Sequence, residues 1–391
     1  MRFSRTLKNI VPYYPNQKIF RMSIQAGLVG LPNVGKSTLF NALTKSSVPA
    51  ENYPFCTIEP HVAITHVPDP RLETLQKLFN SQKQIPATVT FVDIAGLVQG
   101  AASGEGLGNQ FLSHIQSVNL ILHVLRCFED PDIISSRGLV DPLGDYDIII
   151  SELMLKDLES VIKRLERLEP AIKKAQNKPA ELKELQAEQA LLLKIRAALD
   201  NDTVEAIQKL LATATVKTIP LLTQKDFLII ANIAEHEIEN DGYTKNNSYQ
   251  KLVEKFGAQK VVPICAKIAF ELSQLNDQDA QEMMGLIGLK EHSLDVVIGQ
   301  TYKNLGLITF FTCGPKEIHA WPIRNGITIR QAAGEIHSDL ERGFICAQVY
   351  NCKDFFELGS EAKVKEAGKM RIEGQEYIVQ DGDIVLIRFN V

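Results

Sequence analysis

Apolar positions fall into three regimes along the chain. From Ile24 to Val29 an apolar run leads into a glycine-bearing turn, and an amphipathic stretch follows at Thr38–Leu43. Further short apolar runs occur at Val89–Asp93, Leu120–Leu125, Phe227–Ala231 and Val261–Ile264, separated by stretches with helical spacing. Strands that are apolar on both faces belong to a parallel sheet covered by helices on either side. The first regime therefore predicts an α/β domain with a parallel sheet.

A second regime interrupts the first. Leu158, Ile162, Leu165 and Ile172 form one apolar seam, and Leu182, Leu185, Leu192 and Leu199 another. Residues 151–200 carry 10 positive and 9 negative side chains. Between the seams lies Gln176–Pro179, a turn whose proline suits a helix start. This pattern predicts an antiparallel coiled-coil hairpin inserted into the α/β domain. Pro170 is expected to kink or stop its first helix. Two readings of the hairpin stay open: an arm that meets a partner, or a solvated charged face that only packs.

The third regime begins near Asn304. Ile308–Thr312, Ala347–Tyr350, Tyr377–Val379 and Ile384–Arg388 read as strands and Ile329–Leu340 as one helix. The expected division is 1–22 as an N-terminal extension, 23–140 and 213–303 as two parts of one domain, 141–212 as the helical insert and 304–391 as a C-terminal domain.

Composition sharpens this picture. Hydrophobic residues make up 45% and charged residues 23% of 391, which excludes a disordered chain or a small disulfide scaffold. The 24 glycines leave 145–241 empty, so the insert is built differently from its flanks. The net charge of −5 gives no overall basic excess, and any nucleic-acid contact needs a local patch. The six cysteines have no metal or redox spacing and are expected to be reduced. No apolar stretch is long enough for a bilayer, and the expected location is cytoplasmic, with no membrane partner. The first 21 residues hold Arg2, Arg5, Lys8, Lys18 and Arg21 and no acid, and Met22 is the expected natural start. A targeting peptide or a structural arm are the alternatives.

The chemistry is concentrated after the first strand. Gly30-Leu-Pro-Asn33-Val34-Gly35-Lys36-Ser37 matches G-x-x-x-x-G-K-[ST] and is followed by Thr38 at a helix start. Backbone amides of such a loop wrap phosphate, Lys36 bridges the outer phosphates, and the Ser37 hydroxyl suits Mg2+. Thr57 lies in the following loop, where a switch threonine closes on metal and phosphate. Asp93 ends a strand and would hold Mg2+ through a water, while the Gly96 amide would sense the last phosphate. Five glycines lie between Gly96 and Gly108, as a switch segment requires. Asn232-Ile233-Ala-Glu235 follows a strand, in the place of a nucleotide-base reader, and Cys265-Ala-Lys267 stands where the last base loop belongs.

Together these strings resemble the YchF / Obg-like ATPase subfamily of translation-factor-type P-loop proteins, from about Ser23 to Val391. The resemblance is carried by residues 30–38, 54–60 (Pro-Phe-Cys-Thr-Ile-Glu-Pro), 91–98 (Phe-Val-Asp-Ile-Ala-Gly-Leu-Val) and 104–112 (Gly-Glu-Gly-Leu-Gly-Asn-Gln-Phe-Leu). Later strings at 331–337 and 365–371 extend it. It implies a G domain, a coiled-coil insert and a C-terminal TGS domain of β-grasp fold. It also implies ATP hydrolysis in preference to GTP and association with a ribosome (the 50S subunit or the 70S particle), with rRNA contact through the insert or the TGS domain.

Guanine-specific relatives carry Asn-Lys-x-Asp where this chain has Asn232, Ile233 and Glu235. Their aspartate accepts from guanine N1–H and the N2 amine. Adenine offers neither donor, so the altered acid argues for lost GTP selectivity. The resemblance supplies the choice of ATP, with Asn232 and the Ile233 backbone as expected adenine contacts.

In Ras-like enzymes a glutamine after Asp-x-x-Gly orients the attacking water. Leu97 stands there and cannot do so. Ser135 replaces a histidine that relatives often carry, and His123 reads as a packed core residue. Catalysis is therefore assigned to charge stabilisation by Lys36, Mg2+ and the loop amides, with Thr57 and Gly96 closing the site. Asn33 occupies a position linked to K+ in some related GTPases. Two alternatives remain: a nucleotide-dependent ribosome-binding protein with negligible turnover of its own, and a conventional GTPase.

Overall fold

The computed structural model describes residues 24–47, 61–94, 107–131, 139–201 and 204–390. Thr57, Gly96, Leu97, Ser135 and the expected extension 1–22 lie outside the described residues.

The first sheet has the order β2-β4-β1-β5-β6-β7. Its strands are β1 (Gln25–Val29), β2 (Val62–His66), β4 (Thr88–Asp93), β5 (Leu120–Arg126), β6 (Asp226–Asn232) and β7 (Val261–Ile264). Every β5 side chain is buried, as its unbroken apolar run requires. Helices α1 (Lys36–Lys45), α2 (Arg71–Phe79), α3 (Leu107–Ser117) and α7 (Asn247–Phe256) accompany it, with α8 (Ala266–Leu272), α9 (Asp277–Leu286) and α10 (Ser293–Asn304). The expected parallel sheet is present, with one antiparallel edge strand. Strand β2 runs antiparallel to β4, pairing Val62 with Val92 and His66 with Thr88. An antiparallel neighbour needs only a turn and the short α2 to return, with no full crossover.

The insert is formed by α4 (Pro142–Lys174), α5 (Pro179–Asp200) and α6 (Val204–Ala212). Asp141 caps α4 by accepting from the Gly144 amide at 3.1 Å, and Pro142 fills the first turn. At 33 residues α4 spans about 50 Å. Pro170 does not stop it, because only one turn remains and a single intrahelical bond is forfeited there. Met154, Leu158, Val161, Leu165, Leu168 and Ile172 alternate at steps of four and three, facing Leu185, Leu192, Ile195 and Leu199. Sequence reading found only half of this seam. At its centre Glu188, 8% exposed, takes a bidentate fork from Arg164 at 2.8 and 2.7 Å. The fork links α4 to α5 across the seam.

The arm's return is fastened at its base. Asp157 is 1% exposed and accepts from the Leu222 amide at 2.7 Å, the Thr223 amide at 2.9 Å and the Thr223 hydroxyl at 2.7 Å. Burial pushes its pKa up, and these donors oppose that shift. Asp157→Ala strands two buried amides, and the expected cost is about 3 kcal/mol in urea unfolding. A variant within 0.5 kcal/mol of the parent, as an ordinary surface site would give, would show that the fastening contributes nothing.

The second sheet has the order β11-β10-β12-β8-β9-β3. Its strands are β3 (Lys83–Ile85), β8 (Leu307–Cys313), β9 (Glu317–Arg324), β10 (Phe344–Asn351), β11 (Arg371–Glu373) and β12 (Asp383–Phe389). Helix α11 (Ile329–Ile336) covers one face, burying Phe310, Trp321, Val349 and Val385 with Ile329 and Ala332. Shorter helices α12 (Ser338–Arg342), α13 (Cys352–Leu358) and α14 (Glu361–Glu366) complete the C-terminal part. The single helix expected over Ile329–Leu340 is therefore two, divided by the extended His337, which caps α12. Tyr377–Val379 is no strand. Its backbone instead bonds the turn before α11, through Ile329 N to Tyr377 O at 2.7 Å and Val379 N to Ile327 O at 3.2 Å. Strand β9 escaped sequence reading because Pro322 breaks its pattern. That proline lies beyond the Glu317–His319 stretch paired with β3, where no donor is needed.

Strand β3 belongs in sequence to the first domain yet extends the second domain's sheet. Around it, Arg71 pairs Asp381 at 2.7 Å and lies 5.0 Å over Phe311, while Phe79 stacks on Phe355 at 4.8 Å. The segment β2–α2–β3–β4, from Val62 to Asp93, thus carries the contacts with the C-terminal sheet.

Candidate nucleotide site

The site lies at the C-terminal ends of β1, β4 and β6, the edge of an open α/β sheet where ligands bind. Gly30 opens the loop after β1. A Cβ there would sit 2.7 Å from the Val124 carbonyl, so only glycine fits. Asn33 is left-handed at φ 63° and exposed. Val34 is buried beneath the loop. Gly35, at φ 93°, starts α1 without a side-chain cap, and no acid occupies the first turn. Backbone amides at such a helix start suit an anion.

Lys36 is 8% exposed and its ammonium is held by the Asp93 carboxylate. Register explains the meeting: Asp93 lies beside Leu28 on β4, at the level where β1 gives way to the loop. Ser37 is exposed and Thr38 half-buried on the same turn. A hydroxyl and a carboxylate are hard oxygen donors that suit Mg2+. Ser37 and Asp93 thus offer donors of the kind Mg2+ takes, and the Asp93 carboxylate is held by the Lys36 ammonium. Among the described residues no group of three or more His, Cys, Asp and Glu side chains forms a separate metal site.

Asn232 ties the site together. It is 4% exposed, donates to the Val34 carbonyl at 2.9 Å and accepts from the Ala266 amide at 3.0 Å. Phosphate loop and base loops are thereby held as one unit. Sequence reading placed Asn232 on the base, and the structure puts both ends of its amide on protein. The Ile233 amide is likewise engaged, donating to Ile264 at 2.8 Å, and its side chain is 2% exposed within an apolar cluster. A lysine substituted there would carry its charge into that cluster. Glu235 is exposed and takes Lys267 at 2.7 Å, a pairing that sequence reading missed although both residues had been singled out. Its hydrogen bond and charge raise the Lys267 pKa.

His123 is 1% exposed, with Tyr146 at 5.0 Å and Phe227 at 5.9 Å edge-on. Burial pushes its pKa down to about 3, so it stays neutral in the core as the sequence indicated. His114 is exposed on α3.

A strand, a glycine-bearing loop and an unblocked helix start, with Lys36 and Asp93 meeting above the loop, define a P-loop nucleotide hydrolase. A family model described as 50S ribosome-binding GTPase matches residues 25–178. A second, YchF-GTPase_C, described as a protein of unknown function, matches 307–390. The chain belongs to the YchF family. It is 45% identical to the Ribosome-binding ATPase YchF of Escherichia coli O157:H7 over 372 residues, covering 95% of this chain and 100% of that one. It is 43% identical over 379 residues to the protein of the same name from Bacillus subtilis (strain 168), with 95% and 100% covered. The solved Schizosaccharomyces pombe YchF GTPase is 35% identical and superposes with a TM-score of 0.79 over 94% of this chain and 98% of that one.

Proposed function

We propose that the protein is a ribosome-associated switch that binds ATP in preference to GTP and hydrolyses it slowly with Mg2+. The observation that carries the nucleotide choice is Glu235. The acid in the guanine-reading position is one methylene longer than aspartate and is already engaged by Lys267. Relatives named ribosome-binding ATPases support both the nucleotide and the partner, and a ribosome partner points to the cytoplasm. Among the described residues no helix is long and apolar enough to cross a membrane.

In this reading Gly35, Lys36, Ser37 and Thr38 bind the phosphates. Ser37, Thr57 and Asp93 hold Mg2+, with Asp93 acting through a water, and Gly96 senses the last phosphate. The metal supplies charge neutralisation on the phosphates when bound. Leu97 leaves the attacking water without a side-chain partner at the glutamine position, which makes intrinsic turnover slow. Asn33 is the candidate K+ ligand, and turnover in KCl against NaCl tests it.

The nucleotide reading is tested by displacement of a fluorescent ADP analogue. ATP is expected to compete better than GTP, and equal or better competition by GTP sinks the preference. The partner reading is tested with purified 70S ribosomes, which are expected to raise ATP turnover. The absence of a glutamine at Leu97 favours one alternative, a binding protein with negligible turnover. Unchanged hydrolysis together with ATP-tightened ribosome binding would establish it.

A further inference from the structure

The Glu235–Lys267 pair deepens the nucleotide reading, on which it rests. Asn232 lies opposite Ile264 where β6 and β7 end side by side. The Ile233 amide bonds Ile264, and the Ala266 amide bonds Asn232. The two base loops are thus fixed to each other, and the Asn232 bond to Val34 fixes both to the phosphate loop. Glu235 follows three residues after Asn232 and Lys267 one residue after Ala266. Their side chains meet at 2.7 Å while remaining 54% and 65% exposed, at the mouth of the site and outside its core. The neighbouring Glu237 is not a rival, since its carboxylate is taken by the Ala234 amide at 3.0 Å and the Asn246 side chain at 2.8 Å.

We propose that Lys267 is a specificity-determining residue that shifts the site from guanine toward adenine by serving as counter-ion to Glu235. A bare carboxylate here would accept from guanine N1–H and N2–H and would repel the acceptor N1 of adenine. The ammonium occupies one carboxylate oxygen and offsets part of its charge, so guanine finds a weakened acceptor and adenine meets less repulsion. Lys267 acts through Glu235, and its effect therefore vanishes when Glu235 carries no charge.

The test uses the full chain and the ratio of ATP to GTP affinities, measured by displacement of mant-ADP. Lys267→Ala is expected to move the ratio toward GTP by roughly three- to fivefold, the scale of an exposed ion pair. Lys267→Arg retains the parent ratio, which loss of a merely structural contact would not ensure. In a Glu235→Gln background Lys267→Ala shifts nothing further, as a double-mutant cycle requires. An unchanged ratio in Lys267→Ala, or the same shift in both backgrounds, overturns the proposal. A parent protein that prefers GTP sinks the ATP reading alone, because the change on removing Lys267 is still read against that parent.

Discussion

Lys36→Ala is expected to lower nucleotide turnover at least about a hundredfold, the scale of removing one preorganised charge from a transferring group. The side chain is 8% exposed and its ammonium already faces the loop, held there by Asp93. Little reorganisation is needed for phosphate to take over from Asp93 as its partner. Alanine does two kinds of damage. It removes the cation that stabilises the transferring phosphoryl group, and it leaves the Asp93 carboxylate without counter-charge beside the incoming phosphates. The two can be separated. Measured in EDTA, where no metal neutralises Asp93, Asp93→Asn added to Lys36→Ala removes the surplus negative charge and is expected to recover part of the mant-nucleotide affinity. With Mg2+ it recovers none of the turnover, because Asp93 also holds the metal and the Lys36 charge is still missing. Affinity and turnover within threefold of the parent in Lys36→Ala would show that the loop does not act through this residue.

What the sequence made legible follows from how each feature is encoded. The phosphate loop is local: Gly30, Gly35, Lys36 and Ser37 lie within eight residues, and their meaning survives without the fold. The central strands are similar, because β5 and β6 are buried along nearly their whole length and read as unbroken apolar runs. The hairpin was legible as a seven-residue repeat, but only one of the two rows on α4 was read: Leu158, Leu165 and Ile172 belong to the seam, Ile162 does not, and Met154, Val161 and Leu168 form the row that was missed. What escaped is non-local. Nothing near Lys83–Ile85 shows that this three-residue strand pairs with β9, more than 200 residues away. Asp157 looks like one acid among many on a charged helix until Leu222 and Thr223 are brought against it. The same holds for Glu235 and Lys267, each assigned to a base loop on local grounds, with their mutual contact set by the pairing of β6 and β7. Strand β3 also gives the switch reading a physical route. A shift of the segment Val62–Asp93 would carry the C-terminal sheet with it, because that sheet's edge strand belongs to the segment.

Gly35→Ala is expected to abolish measurable nucleotide binding and to cost about 3 kcal/mol of stability. Gly35 is left-handed, at φ 93°, where a side chain is strained by about 1 kcal/mol. The larger effect is steric, since an added Cβ would lie 2.1 Å from Asn232 Nδ2. Asn232 must then withdraw, which forfeits its bonds to Val34 and Ala266 and releases the phosphate loop from the base loops. Gly306→Ala is the matched control. It shares the backbone region, at φ 67°, but has nothing within 4 Å, so it pays the strain alone. Asn232→Ala supplies the other half of the argument. It loses the same two hydrogen bonds without the clash, and the Gly35→Ala/Asn232→Ala pair is expected to cost well below the sum of the single changes. Strict additivity would mean that the two residues act independently. Equal losses in Gly35→Ala and Gly306→Ala would mean that backbone strain, and not the contact with Asn232, is what makes glycine necessary at the start of α1.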